Sequence, residues 1–261
     1  MIFLSIIYIF VFLFGLVIGS FLNCVIYRLE QKKSLNGRSF CPDCRHKLSW
    51  QDLFPVFSFL FLKGKCRYCH KKISIQYPLV ETAAAILFLI IFITFPQHTI
   101  YNILNTIFLF YIASSLIIIF VYDLKNYIIP DKILFPAIII TFVYNFFPTY
   151  NIQHTIYNII AAISASAFFL IIFLASKGKW MGLGDVKLAF LMGLLLGMPN
   201  IFVALFLAFF FGAIIGVILM VLEKKSLKSE IPFGPFLVIG TLVAVICGNQ
   251  IIQWYLHLLL I

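Results

Sequence analysis

Long apolar runs take up most of this sequence, and every cation lies in or beside the connections between them. Eight such segments can be marked, at about 2–27, 77–95, 100–122, 132–148, 155–176, 186–198, 200–222 and 235–260. A hydrocarbon core about 30 Å thick takes about 20 apolar residues in helical form. Backbone polar groups in lipid must find partners within the segment, which leaves helices or a closed barrel. Barrel strands alternate apolar and polar residues, and these runs do not. With 63% hydrophobic and 11% charged residues and a mean hydropathy of +1.10, the composition is far from that of a soluble domain, about a quarter charged. The expected fold is an all-α polytopic membrane protein with about eight transmembrane helices. The sixth segment is short and is parted from the seventh only by Gly-Met-Pro-Asn.

The connections alternate in chemistry. Residues 28–76 hold eleven Lys and Arg, and the bends 123–132, 177–187 and 223–234 hold the other eight; the remaining connections and both ends hold none. Eight crossings put every cation on one side, the cytoplasmic one by the positive-inside rule, with the N-terminus and C-terminus outside. The net charge of +10 then calls for membrane lipids as its partner, not nucleic acid. The first run has no basic residues ahead of it, is long for a signal h-region and ends without a small-residue cleavage site, so it reads as a retained span. All nine Asp and Glu lie in or beside the cationic connections. None marks a mid-membrane relay, which counts against a channel or transporter. His98, His154 and His257 fall at outer ends, and Cys24 and Cys247 read as small buried hydrophobes.

Residues 28–76 form the one sizeable soluble piece, too small to bury much core without a staple. The staple is Cys-Pro-Asp-Cys at Cys41 and Cys44 and Cys-Arg-Tyr-Cys at Cys66 and Cys69. Two intervening residues let both sulfurs of a pair meet one ion while backbone N–H groups turn toward them. Two such knuckles predict a zinc-ribbon-like loop with four thiolate ligands, and neighbouring Lys and Arg offset its negative charge. His46 and His70 are candidate substitute ligands. A cytoplasmic position argues against disulfides. A closed tetrahedron makes the metal structural, and a zinc-bearing scaffold is one function the loop alone would fit.

Three aspartates lie at the cationic ends of apolar segments: Asp123, Asp131 and Asp185. Asp131 follows Pro130 and suits a helix N-cap, and Asp185 could serve as one. Asp123 sits at a helix C-terminus, where the dipole disfavours an anion. Gly182 and Gly184 precede Asp185 and would let backbone approach closely. Two carboxyls sharing one proton can activate water and protonate a carbonyl.

Taken in order, Gly-Ser-Phe-Leu-Asn-Cys-Val-Ile-Tyr-Arg-Leu (19–29), the double CxxC loop, Asp-Leu-Lys-Asn-Tyr-Ile-Ile-Pro-Asp (123–131), Gly-Leu-Gly-Asp-Val-Lys (182–187) and Pro-Phe-Gly-Pro-Phe-Leu (232–237) resemble the prepilin peptidases, the type IV leader peptidases of the GxGD aspartyl protease group. The resemblance implies a bacterial inner-membrane protease that removes the short basic leader of prepilin or pseudopilin precursors after a glycine. It implies catalysis by Asp123 and Asp185, with Asp131 in reserve. It also implies N-methylation of the new N-terminus with S-adenosylmethionine, for which Asn23 and Arg28 are weak candidates. Glu30, Asp43, Asp52 and Glu81 are candidate acids to receive a basic leader. The expected organisation is a first transmembrane helix (1–27), a cytoplasmic zinc-binding loop (28–76) and a seven-helix membrane core (77–261).

Overall fold

The computed structural model describes residues 2–95, 99–146, 152–222 and 231–259. Two isolated bridges aside, every regular element among these is helical. The helices are α1 (Ile2–Glu30), α2 (Phe57–Phe61), α3 (Gln76–Thr94), α4 (Ile100–Asn126), α5 (Asp131–Tyr144), α6 (Ile152–Ser176), α7 (Leu183–Leu196), α8 (Asn200–Val221) and α9 (Gly234–Leu259), with a 3-10 turn at Trp50–Leu53. Six of them, α1, α3, α4, α6, α8 and α9, are long and apolar enough to cross a membrane. The expected count of eight is not reached at full length. α5 and α7 have 14 residues each, about 21 Å at 1.5 Å per residue, against a core of about 30 Å. Lys224, Lys225 and Lys228, and His98 among the outer positions, lie outside the described residues.

Contacts divide the chain into two units, Met1–Ile118 and Ile119–Ile261. In the first, α1 and α3 pack at backbone distance. A Cβ added at Gly15 would lie 2.6 Å from the Cα of Ala85, and one at Gly19 2.6 Å from the Cα of Glu81. This Gly-x-x-x-Gly spacing lets dispersion and close packing hold helices together where lipid supplies no hydrophobic drive. Phe88 of α3 stacks on Phe110 of α4 with centroids 4.1 Å apart.

The second unit is built round α7. It touches α5, α6, α8 and α9, and Leu188, Ala189, Leu191, Met192, Gly193 and Leu194 are all buried. A helix apolar on every side belongs in such a centre. Small residues again set the approach: a Cβ on Gly193 would lie 2.3 Å from the backbone of Ala162 in α6. One on Gly240 of α9 would lie 2.3 Å from the carbonyl oxygen of Ala204 in α8. At the C-terminal ends of α5 and α7 lies a polar knot. Asn145 Nδ2 donates to the Leu194 carbonyl at 2.9 Å, Thr155 Oγ1 to the Asn145 carbonyl at 2.7 Å, and Asn158 Nδ2 to Asn145 Oδ1 at 2.8 Å. α5 and α7 therefore run in the same direction.

Candidate functional site

α4 continues past the expected boundary to Asn126, so Asp123 sits in its last turn and is buried. The helix stops because Tyr127 turns to φ 57° and its N–H returns to the Asp123 carbonyl at 2.9 Å, a left-handed stop usually given to glycine. The backbone N–H of Gly234, the first residue of α9, donates to the Asp123 carboxylate. A Cβ on Gly234 would lie 2.5 Å from Asp123 Oδ2. This glycine comes from the late Pro-Phe-Gly-Pro motif, to which sequence reasoning attached no role.

Asp185 is the third residue of α7 and is also buried. Its Oδ2 accepts the Gly182 N–H at 3.2 Å. That is the return half of a capping box, since glycine at the cap has no side chain for the other half. The capping role and a chemical one are thus compatible for this residue. The two aspartates are brought together. Ile129 links their surroundings: a Cβ on Gly184 would sit 3.0 Å from Ile129 Cβ, and one on Gly234 would sit 3.4 Å from Ile129 Cδ1. Of the two glycines before Asp185, only Gly184 is held by a close neighbour. A Cβ on Gly182 would meet nothing nearer than 3.8 Å.

Asp131 does not act as the N-cap expected of it. Pro130 holds the cap position of α5, and the Asp131 carboxylate takes Lys187 Nζ at 2.8 and 3.0 Å. The same ammonium lies 5.1 Å from the ring centre of Phe135. The partnership between Asp131 and Lys187, two residues beyond Asp185, is one the sequence reading missed.

In the first unit, one sulfur from each of Cys41, Cys44, Cys66 and Cys69 lies within 4.8 Å of the others, and Cys41 Sγ is 3.9 Å from Cys69 Sγ. A zinc tetrahedron with Zn–S about 2.3 Å has S···S edges of about 3.8 Å, so the set fits such an ion. The knuckles match each other. Arg45 and His70, each following a second cysteine, take φ 58° and 56° and return their N–H to the Cys41 and Cys66 carbonyls. Burial opposes ionisation of Cys66, but the N–H groups of Cys69 and Tyr68 outweigh it and bring the thiol down to about 7, toward the thiolate a metal needs. The Lys71 N–H would lower Cys69, yet burial and the three crowding thiols push it up to about 11. A cation is what would let all four ionise together. His46 is stacked on Tyr68 at 3.6 Å and His70 is exposed; the four sulfurs gather without either.

Asn23 and Arg28 are buried and engaged. Asn23 Nδ2 donates to the Tyr77 carbonyl at 3.0 Å. Arg28 donates to the carbonyls of Ser34, Leu35, Gly37 and Arg38, so it shapes the start of the loop. The candidate acids are largely committed as well. Asp43 holds Lys71, Asp52 holds Arg67 and Tyr68, and Glu81 accepts the Val56 N–H at 2.6 Å.

Residues 13–95 match the family model described as the bacterial peptidase A24 N-terminal domain, and residues 108–217 match the type IV leader peptidase family. Among curated relatives, the prepilin leader peptidase/N-methyltransferase of Aeromonas salmonicida is 31% identical, over 96% of this chain and 94% of its own. The protein of the same name from Legionella pneumophila is 32% identical over 95% and 94%. That from Bacillus subtilis is 31% identical over 95% and 98%. No solved structure matches the chain.

Proposed function

The chain belongs to the type IV leader peptidase family, and from that premise we propose that it is a prepilin leader peptidase/N-methyltransferase whose cleavage step is run by Asp123 and Asp185. The observation that supports the proposal is that two buried carboxyls, from α4 and α7, stand beside Gly234 and Gly184, which both face Ile129. Two such groups in desolvated surroundings share a proton. The ionised carboxylate takes a proton from water as its oxygen attacks the scissile carbonyl carbon, and the protonated carboxyl gives its proton to the carbonyl oxygen. The resulting diol collapses: one hydroxyl returns its proton to the second aspartate, the first aspartate protonates the amide nitrogen, and the C–N bond breaks. The pair ends in its starting protonation state. Zinc in the four-cysteine site would hold the loop.

Methyl transfer belongs to the relatives by name and comes here by that likeness. S-adenosylmethionine would supply the methyl group to the new N-terminal amine. Asn23 and Arg28 are already bonded to backbone carbonyls, so no residue is assigned to that cofactor. The topology follows the same reading. The end of α4 and the starts of α5, α7 and α9 meet at one end of the second unit, through Asp123, Asp131, Lys187 and Gly234. Short as they are, α5 and α7 then serve as crossings that α6 and α8 reverse. Every cation falls on the cytoplasmic side of a bacterial inner membrane, and both termini lie outside.

The test is incubation of the purified chain with a leader-bearing precursor, with and without methyl donor, followed by mass measurement of the product. Leader loss, plus one methyl group when donor is present, is the expected result. A precursor left intact by a folded, zinc-loaded chain would leave the scaffold reading standing in its place.

A further inference from the structure

The stretch from Trp50 to Leu62 lies in the connection between two spans, yet its chemistry is that of a buried segment. The 3-10 turn and α2 turn Trp50, Phe54, Phe57, Leu60 and Phe61 outward, with Trp50 69% and Phe61 84% exposed. An open apolar groove runs along Phe54, Phe57, Phe61 and Leu62, with Gln51 and Arg67 at its polar margin. Single exposed apolar residues are ordinary, but a contiguous set marks a surface with a partner.

Three observations name that partner. The first is position. Val56, in the middle of the stretch, donates its N–H to Glu81 at 2.6 Å, and Glu81 lies in the second turn of α3, a candidate span. The apolar patch is thus pinned beside the beginning of a membrane helix. Val56 is β-branched and held at φ 61°, a costly conformation that persists only where surroundings enforce it. The second is charge. From Cys41 to Lys72 seven cations stand against two carboxylates, and both carboxylates are in ion pairs. Lys63 and Lys65 directly follow the apolar stretch. The third is composition: Trp and Phe beside Lys are the residues that settle at a lipid–water boundary.

We propose that residues 50–62 lie in the membrane interface beside the start of α3, with Phe54, Phe57 and Phe61 among the acyl chains of anionic phospholipids and Lys63 and Lys65 at their headgroups. The loop is then held to the bilayer by its own surface as well as by the two spans that flank it. This holds independently of what Asp123 and Asp185 do.

The test uses the full chain carrying Trp180→Phe and Trp254→Phe, which leaves Trp50 as the sole indole, in nanodiscs containing phosphatidylglycerol brominated near the glycerol end of its acyl chains. Trp50 emission is expected to be blue-shifted, quenched by the bromolipid and indifferent to aqueous iodide. Emission of a solvated indole, quenched by iodide and untouched by bromine, would overturn the proposal. So would a Trp50 that becomes shielded only when a precursor protein is added, which would assign the patch to a protein partner. Equal shielding in discs without anionic lipid would overturn the headgroup half. Should the Trp variants not fold, the unaltered chain with photoactivatable phosphatidylglycerol gives the second reading. Lipid adducts on peptides covering 50–62 are expected. Adducts on α1 and α3 peptides with none on 50–62 would refute the assignment.

Discussion

At the residue scale, the proposed chemistry depends on which atoms stand next to Asp123 and Asp185. Asp123→Asn and Asp185→Asn keep the shape of each side chain but cannot exchange the proton. Each should lower leader removal by about 10²–10⁴-fold or more, the range for losing an acid–base group, in a protein that inserts normally. Processing at the normal rate by either variant would refute the pairing. Gly234→Ala tests the same site without touching an acid. Its Cβ would lie 2.5 Å from Asp123 Oδ2, and the carboxylate is the part able to move. Cleavage should fall sharply while thermal stability stays near that of the parent, measured side by side in one detergent. Gly182→Ala has room within the chain and should leave stability unaltered, so any rise in KM would report on how closely a peptide approaches. The motif residues Asp123 and Asp185 were legible in the sequence. Their neighbours Ile129 and Gly234 were not, because nothing in the linear order says which apolar side chain fills the space that a glycine leaves.

At the scale of single elements, polar clusters fix the ends of otherwise uniform apolar helices. Asn145 serves Leu194, Thr155 and Asn158 at once. Asn145→Ala strands a carbonyl at the end of α7 and the amide of Asn158, at a cost of about 1–3 kcal/mol for each buried group left unpaired. The melting temperature in detergent should drop, while the folded fraction keeps its cleavage rate. In the cysteine loop, Cys41→Ser should lower bound zinc, measured by metal analysis of purified protein, and loosen residues 41–72. Asp52 ties that loop to its 3-10 turn. Burial pushes its carboxyl up, but Ser49, Arg67 and Tyr68 together hold it below the ordinary carboxylate range. A group depressed by folding stabilises the fold above its unfolded value and gives that up as pH falls through the folded one. Amide protection in residues 49–53 should therefore decline on acidification below about pH 4, and Asp52→Asn should show the loosened state already at neutral pH. The paired cysteines announce this loop in the sequence. Asp52 does not, since an aspartate in a basic loop looks like any solvated charge until Arg67 and Tyr68 are seen to close on it.

At the scale of the whole molecule, the alternation of apolar runs and cationic connections was enough to predict a helical membrane protein. Among the described residues six of those runs form helices long enough to cross a membrane, and α5 and α7 are shorter. Hydropathy marks α5 and α7 as apolar but cannot say where their helices stop, and Gly197, at φ 63°, ends α7 early. The topology proposed here is tested by side-specific labelling of cysteines introduced at Lys33 and Lys179. Both should react only with reagent admitted to the cytoplasmic side; reaction of one from each side would refute the common face. A last consequence follows from α5 and α7 themselves. With α5 and α7 crossing as proposed, two rods about 9 Å shorter than the hydrocarbon around them must draw the surrounding lipid inward or admit solvent above their tips. The enzyme should accordingly work faster in bilayers of short-chain lipid than of long-chain lipid, because the thinner sheet already matches the dip that a thicker one has to be bent to supply.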